Sequence, residues 1–380
     1  MLCEGVNTII HRLYCIIRGG IIVFKERIEK LRKAMDGRNL DAVLLIGDPN
    51  RNYLSGFTGN ESFSLITQER AFFITDSRFT EQASQQVKDY EVLEYNKGTT
   101  FVDFLSGLVK KNNVKKLGFE ENIVSYSQYE ILNDKLGCEL VPMKGMVEEI
   151  RIVKDDHELE LIGKAAAVAD RAFKHMLEFI KAGMTEREVG LELEFYMKKL
   201  GASDLSFPSI VASGVRSSLP HGQATEKVIN KGEFLTLDFG CVYREYCSDM
   251  TRTVVIGKPS EKMVEIYNIV LEAEQLALKA YKPGVPAIEV DAVARNYISK
   301  KGYGKNFGHS LGHGVGREIH EAPIIGYRNN RKLESGMVVS DEPGIYIPGF
   351  GGVRIEDLLV VTEDGGKALS KSPKNLICVD

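Results

Sequence analysis

The sequence predicts an α/β domain followed by an α+β domain built from two related halves, and three observations carry that reading. From residue 24 to about 145, short apolar runs alternate with helical segments, the mark of strands interleaved with helices. A helical stretch at 181–201 recurs at 282–302, and a strand-like stretch at 231–240 recurs at 335–344. A chain of 380 residues suffices for two domains of about 100 to 200 residues each.

In chain order, the first residues are apolar at Ile9, Ile10, Leu13, Ile16 and Ile17, but His11, Arg12 and Arg18 interrupt them. With no long apolar run and no small-residue cleavage site, they read as neither export signal nor membrane span. We expect 1–22 to be an extension, disordered or from a misassigned start, and the amino-terminal domain to occupy 23–148. There an amphipathic stripe of Ile28, Leu31 and Met35 leads into a strand at Asp41 to Ile46. The runs SLI (64–66), AFFIT (71–75) and KLGFE (116–120) read as further strands, and 77–87 and 100–112 as helices. Pro142 and a charged run then mark a boundary, with Asp155 or Asp156 able to cap the long helix that follows. The second domain is expected over 149–380.

Its repeat aligns KAGMTEREVGLELEFYMKKLG with KPGVPAIEVDAVARNYISKKG at an offset of 101, matching Gly183 with Gly284, Val189 with Val290 and Gly201 with Gly302. Each copy is a helix end, a glycine turn and an amphipathic helix closed by glycine, the first with a capping box of Thr185 and Glu188. KGEFLTLDFG then aligns with SGMVVSDEPG at offset 104, matching Asp238 with Glu342. A carboxylate in an apolar strand is costly unless it is paired or bound to metal. Two at equivalent positions imply halves that face one another across a shared site.

Each acid has a second acid in its own hairpin. In FLTLDFGCVYREYCSDMTRTVVI, a two-residue turn at Tyr243-Arg244 or Arg244-Glu245 puts Asp238 and Asp249 on one face, opposite or diagonal. Glu342 and Glu356 flank Gly349 of IPGFGG symmetrically. Side by side, such carboxylates repel unless a cation or proton lies between them, and four of them make a hard, oxygen-rich cation site. Between the hairpins, GHSLGHGVGREIHEAP (308–323) holds His309, His313 and His320, three of the chain's seven histidines. One imidazole beside four carboxylates suits a two-metal centre that activates a bridging water; spacing alone does not choose among the three.

Other chemistries are excluded. The 49 Lys and Arg against 53 Asp and Glu give a formal charge of −4 and no footprint for nucleic acid. Six cysteines without a CxxC pair argue against a thiolate zinc site or a disulfide framework, and fit a reducing, cytoplasmic setting. GHSLG matches the serine-hydrolase elbow G-x-S-x-G, but the only later histidine at a useful distance is His320, with Glu318 just two residues before it, and that spacing cannot build a triad.

LTLDFGCVYREYCSDMTRT, HSLGHGVGREIHEAP and SDEPGIYIPGFGGVRIED resemble the pita-bread metallopeptidases, in particular their Xaa-Pro peptidase branch, prolidase and aminopeptidase P. The resemblance spans about 24–380 and includes NRNYLSGFTG (50–59). It implies a creatinase-like amino-terminal domain, a pita-bread catalytic domain with a pseudo-twofold axis, and a homodimer acting on proline-containing peptides or dipeptides, with no nucleic acid or membrane partner. It implies two divalent ions, Mn²⁺ foremost and Co²⁺, Zn²⁺ or Fe²⁺ otherwise, held by Asp238, Asp249, His313, Glu342 and Glu356, so His313 is the ligand among the histidines. By the same resemblance His221, His309 and His320 contact ligands and substrate, His309 orienting the substrate and His320 donating to the developing oxyanion. A metal-bridging hydroxide would attack the carbonyl, with Glu342 as proton acceptor and shuttle. Arg354, two residues before Glu356 and on its face, would hold Glu356 or a substrate carboxylate.

Some residues depart from the pattern or stay outside it. Asp341 stands where the family more often has an apolar residue; alternation turns it away from the metals, towards a basic neighbour. Cys247 reads as an inert core residue, and Tyr243 and Tyr346 as packing residues. The alternatives are a methionine aminopeptidase, a creatinase, or a non-catalytic binding protein on the same fold. Against them stand the folded amino-terminal domain, the GGVRIED ending and the intact ligand set.

Overall fold

The computed structural model describes residues 24–96 and 98–379, so the expected extension at 1–22 lies outside the described residues. The chain divides into two compact units between Ile150 and Arg151.

The first unit opens with helix α1 (24–36), whose Ile28, Leu31 and Met35 are buried. It continues through β1 (Ala42–Leu45), α2 (Asp48–Ser55), β2 (Ser62–Thr67), β3 (Ala71–Thr75), α3 (Thr80–Gln86), β4 (Glu91–Glu94), α4 (Phe101–Lys111), β5 (Lys116–Phe119), α5 (Tyr126–Leu136), β6 (Glu139–Pro142) and α6 (Met146–Arg151), whose last residue, Arg151, belongs to the second unit. Six strands form one mixed sheet in the order β4-β3-β2-β1-β5-β6. The hairpin pairs β1–β2 and β2–β3 are antiparallel, while β1–β5, β5–β6 and β3–β4 are parallel and need helical crossovers. Pro49 lies in the first turn of α2, where its missing N–H costs nothing, and Gly56 ends the helix at φ 74°.

The second unit begins with α7 (Asp156–Phe179), capped by Asp155 in a capping box with Glu158, and α8 (Glu186–Lys199), capped by Thr185 with Glu188. Then come β7 (Asp204–Leu205), β8 (Ile210–Ser213), β9 (Phe234–Phe239), β10 (Cys241–Tyr243), β11 (Tyr246–Cys247), β12 (Met250–Ile256), α9 (Glu261–Leu278) and α10 (Ala287–Lys300). The chain ends through β13 (Gly312–Gly314), β14 (Glu321–Ile325), β15 (Val338–Asp341), β16 (Gly344–Ile347), β17 (Gly351–Arg354), β18 (Asp357–Thr362), β19 (Gly365–Ala368) and β20 (Cys378–Val379).

The duplication is present down to single hydrogen bonds. Gly183 N donates to Ile229 O at 2.9 Å, and Gly284 N to Leu333 O at 2.8 Å. Ile229 N returns to Met184 O and Leu333 N to Val285 O. Both glycines sit at positive φ, 93° and 83°, as do Gly201 and Gly302, which is why glycine ends each segment. Val189 of α8 and Val290 of α10 are fully buried, each contributing roughly 1.5 to 3 kcal/mol. The antiparallel trio β8-β9-β12 has its counterpart in β13-β15-β18. One core packs α7 and α8 under Val211, Leu235, Leu237 and Val254, and the other packs α9 and α10 under Val339, Val353, Ile355 and Leu359.

Candidate metal centre

The first hairpin turns at Arg244-Glu245, both at positive φ (47° and 70°), with Tyr243 paired to Tyr246. The same register places Asp238 directly opposite Thr251 and therefore diagonal to Asp249, on one face. In the second hairpin the ladder β15–β18 ends at Asp341 opposite Asp357, and β16–β17 begins at Gly344 opposite Arg354. Glu342 and Glu356 fall in the same register at the junction and face each other. His313 sits at the middle of β13, next to β15.

His313 Nε2 lies 3.5 Å from Asp249 Oδ2 and 3.5 Å from Glu342 Oε1. Asp249, His313 and Glu356 offer ligand atoms within 4.8 Å of one another. Asp238 joins them through Arg354, whose guanidinium NH2 is 2.5 Å from Asp238 Oδ2. His313 Nδ1 is 3.1 Å from the Gly314 carbonyl, so it carries the proton and donates. The unprotonated Nε2 therefore presents its lone pair to two carboxylates, an arrangement that a cation held among them would stabilise.

The carboxylates agree. Asp238 Oδ1, Asp249 Oδ1 and Glu356 Oε1 are buried without a protein donor. Burial first, then Glu356, Asp238 and Glu342, hold the Asp249 carboxyl far above its ordinary range. Burial and the neighbouring acids do the same to Glu356, and burial pushes Glu342 up to about 8 although Arg354 opposes it. Three orphaned oxygens, a bare imidazole nitrogen and mutually repelling acids fit hard divalent cations with oxygen and nitrogen ligands.

Around these residues runs a hydrogen-bonded chain. Arg354 donates from Nε to Thr251 Oγ1 (3.0 Å), from NH1 to Tyr346 Oη (2.7 Å), and from NH2 to Asp238 and to the Pro220 carbonyl (3.2 Å). Four of its five donors are thus spent, and its fork holds Asp238, not Glu356. The reason is tertiary: strand alternation does place Arg354 on the face of Glu356, but the other half brings Asp238 within reach of its NH2. Thr251 Oγ1 in turn donates to Glu356 Oε2 at 2.7 Å. His309 Nδ1 lies 2.7 Å from the Ser310 carbonyl and donates to it, so Nε2, 3.0 Å from Tyr346 Oη, accepts the tyrosine proton. Burial, then Arg354, holds the His309 ring neutral, with a pKa down at about 4. Both ring nitrogens are thus engaged by the protein, Nε2 by Tyr346. His320 is exposed, with its ring centroid 4.3 Å from that of His313; His221 is exposed on the loop after Pro220.

Tyr346 is therefore more than a packing residue. Its hydroxyl links Arg354 to His309, and Gly344 and Gly352 leave room for its ring, since a Cβ at either would lie within 3 Å of it. Period-two alternation from Glu342 through Gly344 to Tyr346 was the available signal, and the same spacing from Asp249 points to Thr251. Asp341 also differs from expectation: it turns away from the centre, but neither oxygen has a donor. Burial, then Glu274 and Asp357, push its carboxyl well up, because Lys374 is committed to Asp357 and Glu274. Cys247 is buried and its thiol is pushed up to about 12 by that burial, which makes it inert.

The fold and the site together define a hydrolase that works through divalent metal, and the comparisons identify which kind. Residues 160–363 match metallopeptidase family M24, and residues 27–153 match the creatinase/prolidase N-terminal domain. The structure resembles that of an Xaa-Pro dipeptidase from Bacillus anthracis, with 49% identity, TM-score 0.92, and coverage of 94% of this chain and 100% of that one. It also resembles an X-Pro aminopeptidase from Thermotoga maritima MSB8, with 43% identity, TM-score 0.86, and coverage of 90% and 98%. An uncharacterized peptidase of Bacillus subtilis, YqhT, is 46% identical over 92% of this chain and 99% of its own. The chain belongs to metallopeptidase family M24 and carries the family's creatinase-type amino-terminal domain ahead of the pita-bread catalytic domain. No described helix is long and apolar enough to cross a membrane.

Proposed function

We propose that this enzyme hydrolyses the bond between an amino-terminal residue and proline, with Xaa-Pro dipeptides as its substrates, using two divalent ions, Mn²⁺ in the first place. The observation that carries this is the convergence of His313 Nε2 on Asp249 and Glu342, in a chain 49% identical to an Xaa-Pro dipeptidase. Asp238, Asp249, His313, Glu342 and Glu356 would hold the ions, which when bound supply Lewis acidity at the scissile carbonyl and acidify water. Glu342 accepts the proton of the attacking water and delivers it to the leaving proline nitrogen. His320, at the exposed rim, donates to the carbonyl oxygen as negative charge develops there. Arg354 fixes Asp238, and His309 fixes Tyr346, so both act on the substrate through those partners. His221, exposed on the loop after Pro220, contacts the substrate. In this reading residues 23–148 and 149–380 are the two domains, and the enzyme works as a homodimer in a reducing cytoplasm.

The test compares alanyl-proline with an Xaa-Pro-Yaa-Zaa peptide after chelation and re-addition of Mn²⁺, Co²⁺, Zn²⁺ or Fe²⁺. Metal-dependent cleavage with strict preference for the dipeptide supports the reading. Cleavage of neither substrate with any of the ions would refute it, and preference for the longer peptide would move the enzyme to the aminopeptidase class.

A further inference from the structure

The segment carrying His320 is wound around a single carboxylate. Glu321 Oε1 accepts from the backbone N–H groups of Arg317 (2.9 Å) and Glu318 (3.1 Å) and from the Arg151 guanidinium. Its Oε2 accepts from Lys154 Nζ at 3.1 Å. All three side chains are buried, at 2% (Arg151), 1% (Lys154) and 7% (Glu321) exposed. Burial alone would raise the Glu321 carboxyl; Lys154 and then Arg151 outweigh it and hold the group down at about 2. The loop closes this tightly because residue 316 is glycine, where a Cβ would meet Glu321 Oε2 at 2.6 Å. Arg151 also binds Glu318 at 2.8 Å, and Cys247 N donates to the Gly316 carbonyl at 2.8 Å, tying the loop to the first hairpin. A loop backbone is ordinarily free to move; this one is pinned by charge-assisted bonds within one residue of His320.

We propose that Glu321, clamped by Arg151 and Lys154, is the positioning residue for His320, setting where its ring stands over the metal centre. This rests on the reading of His320 as donor to the carbonyl oxygen. The clamp acts at a distance of one residue, so its loss misplaces a donor without removing it, and misplacement of that kind costs up to about 100-fold in rate.

The experiment is a double-mutant cycle on the Mn²⁺-loaded enzyme with alanyl-proline, combining Glu321→Gln with His320→Ala. Glu321→Gln should lower kcat about 10- to 100-fold, change KM less than about twofold and leave Mn²⁺ content unaltered. In the His320→Ala background the same change should have no further effect on kcat. Lys154→Met, which leaves Glu321 paired with Arg151, should show a smaller loss with the same dependence on His320, and it carries the test if Glu321→Gln fails to fold. Unchanged kcat in a folded Glu321→Gln or, failing that, Lys154→Met enzyme overturns the proposal, as does an equal loss with and without His320. Wild-type activity in His320→Ala would instead overturn the role given to His320 itself.

Discussion

Removing the metal should make stability depend on pH with a sign opposite to that of most carboxylates. Glu342 has its carboxyl pushed up to about 8 from an ordinary 4.5, chiefly by burial. A carboxyl with a raised folded-state pKa keeps its proton after the unfolded chain has lost it, so the folded protein binds more protons over that interval and stability falls as pH rises. The slope is about 1.4 kcal/mol per pH unit per proton, so between pH 5 and 8 Glu342 alone removes up to about 4 kcal/mol. For a unit of about 230 residues that corresponds to roughly 8 to 16 °C in Tm. Asp249 and Glu356 shift in the same direction and steepen the slope. The assay is thermal unfolding of chelator-treated enzyme at intervals from pH 5 to 8, beside the Mn²⁺-loaded enzyme and the Glu342→Gln variant. The metal-free wild type should lose Tm as pH rises, Mn²⁺ should flatten the curve by favouring the ionised acids, and Glu342→Gln should remove about one proton's worth of slope. A metal-free Tm that rises with pH, or a slope unaltered by both Mn²⁺ and Glu342→Gln, would refute the reasoning.

Three further outcomes follow from named contacts. Asp249→Ala or Glu356→Ala removes one of the carboxylates that share the centre and should abolish both metal loading, measured by elemental analysis, and turnover. Thr251→Val deletes the 2.7 Å bond to Glu356 and the acceptor for Arg354 Nε, and should weaken Mn²⁺ binding about 10- to 100-fold by calorimetry, with secondary structure intact. Asp341→Val removes a buried carboxylate that has no donor and should stabilise the protein by about 1 to 3 kcal/mol while kcat stays within about twofold, as checked by unfolding and steady-state kinetics.

The parts of this site that strand periodicity governs could be read without coordinates. Alternation put Asp238 with Asp249, and Glu342 opposite Glu356, because a two-residue period leaves few choices once a turn is located. The helix caps at Asp155 and Thr185 are equally local, since each depends on a residue three positions away. Alternation also contained Tyr346 and Thr251, but sharing a face does not reveal what an aromatic or hydroxyl group touches there.

What the sequence alone determined is therefore the duplicated second domain and the shared faces of Asp238 with Asp249 and of Glu342 with Glu356 on its two hairpins. Only the tertiary structure decided that Arg354 belongs to Asp238, that Tyr346 bridges Arg354 to His309, and that Asp341 lies buried without a donor among Glu274 and Asp357. The deciding contacts join elements apart in the chain, Arg354 meeting Asp238 across 116 residues and His309 meeting Tyr346 across 37. Register and capping are set within a few residues by backbone geometry, whereas the partner of a buried charge is set by whichever distant donor or acid the packing of the two halves brings within 3 Å.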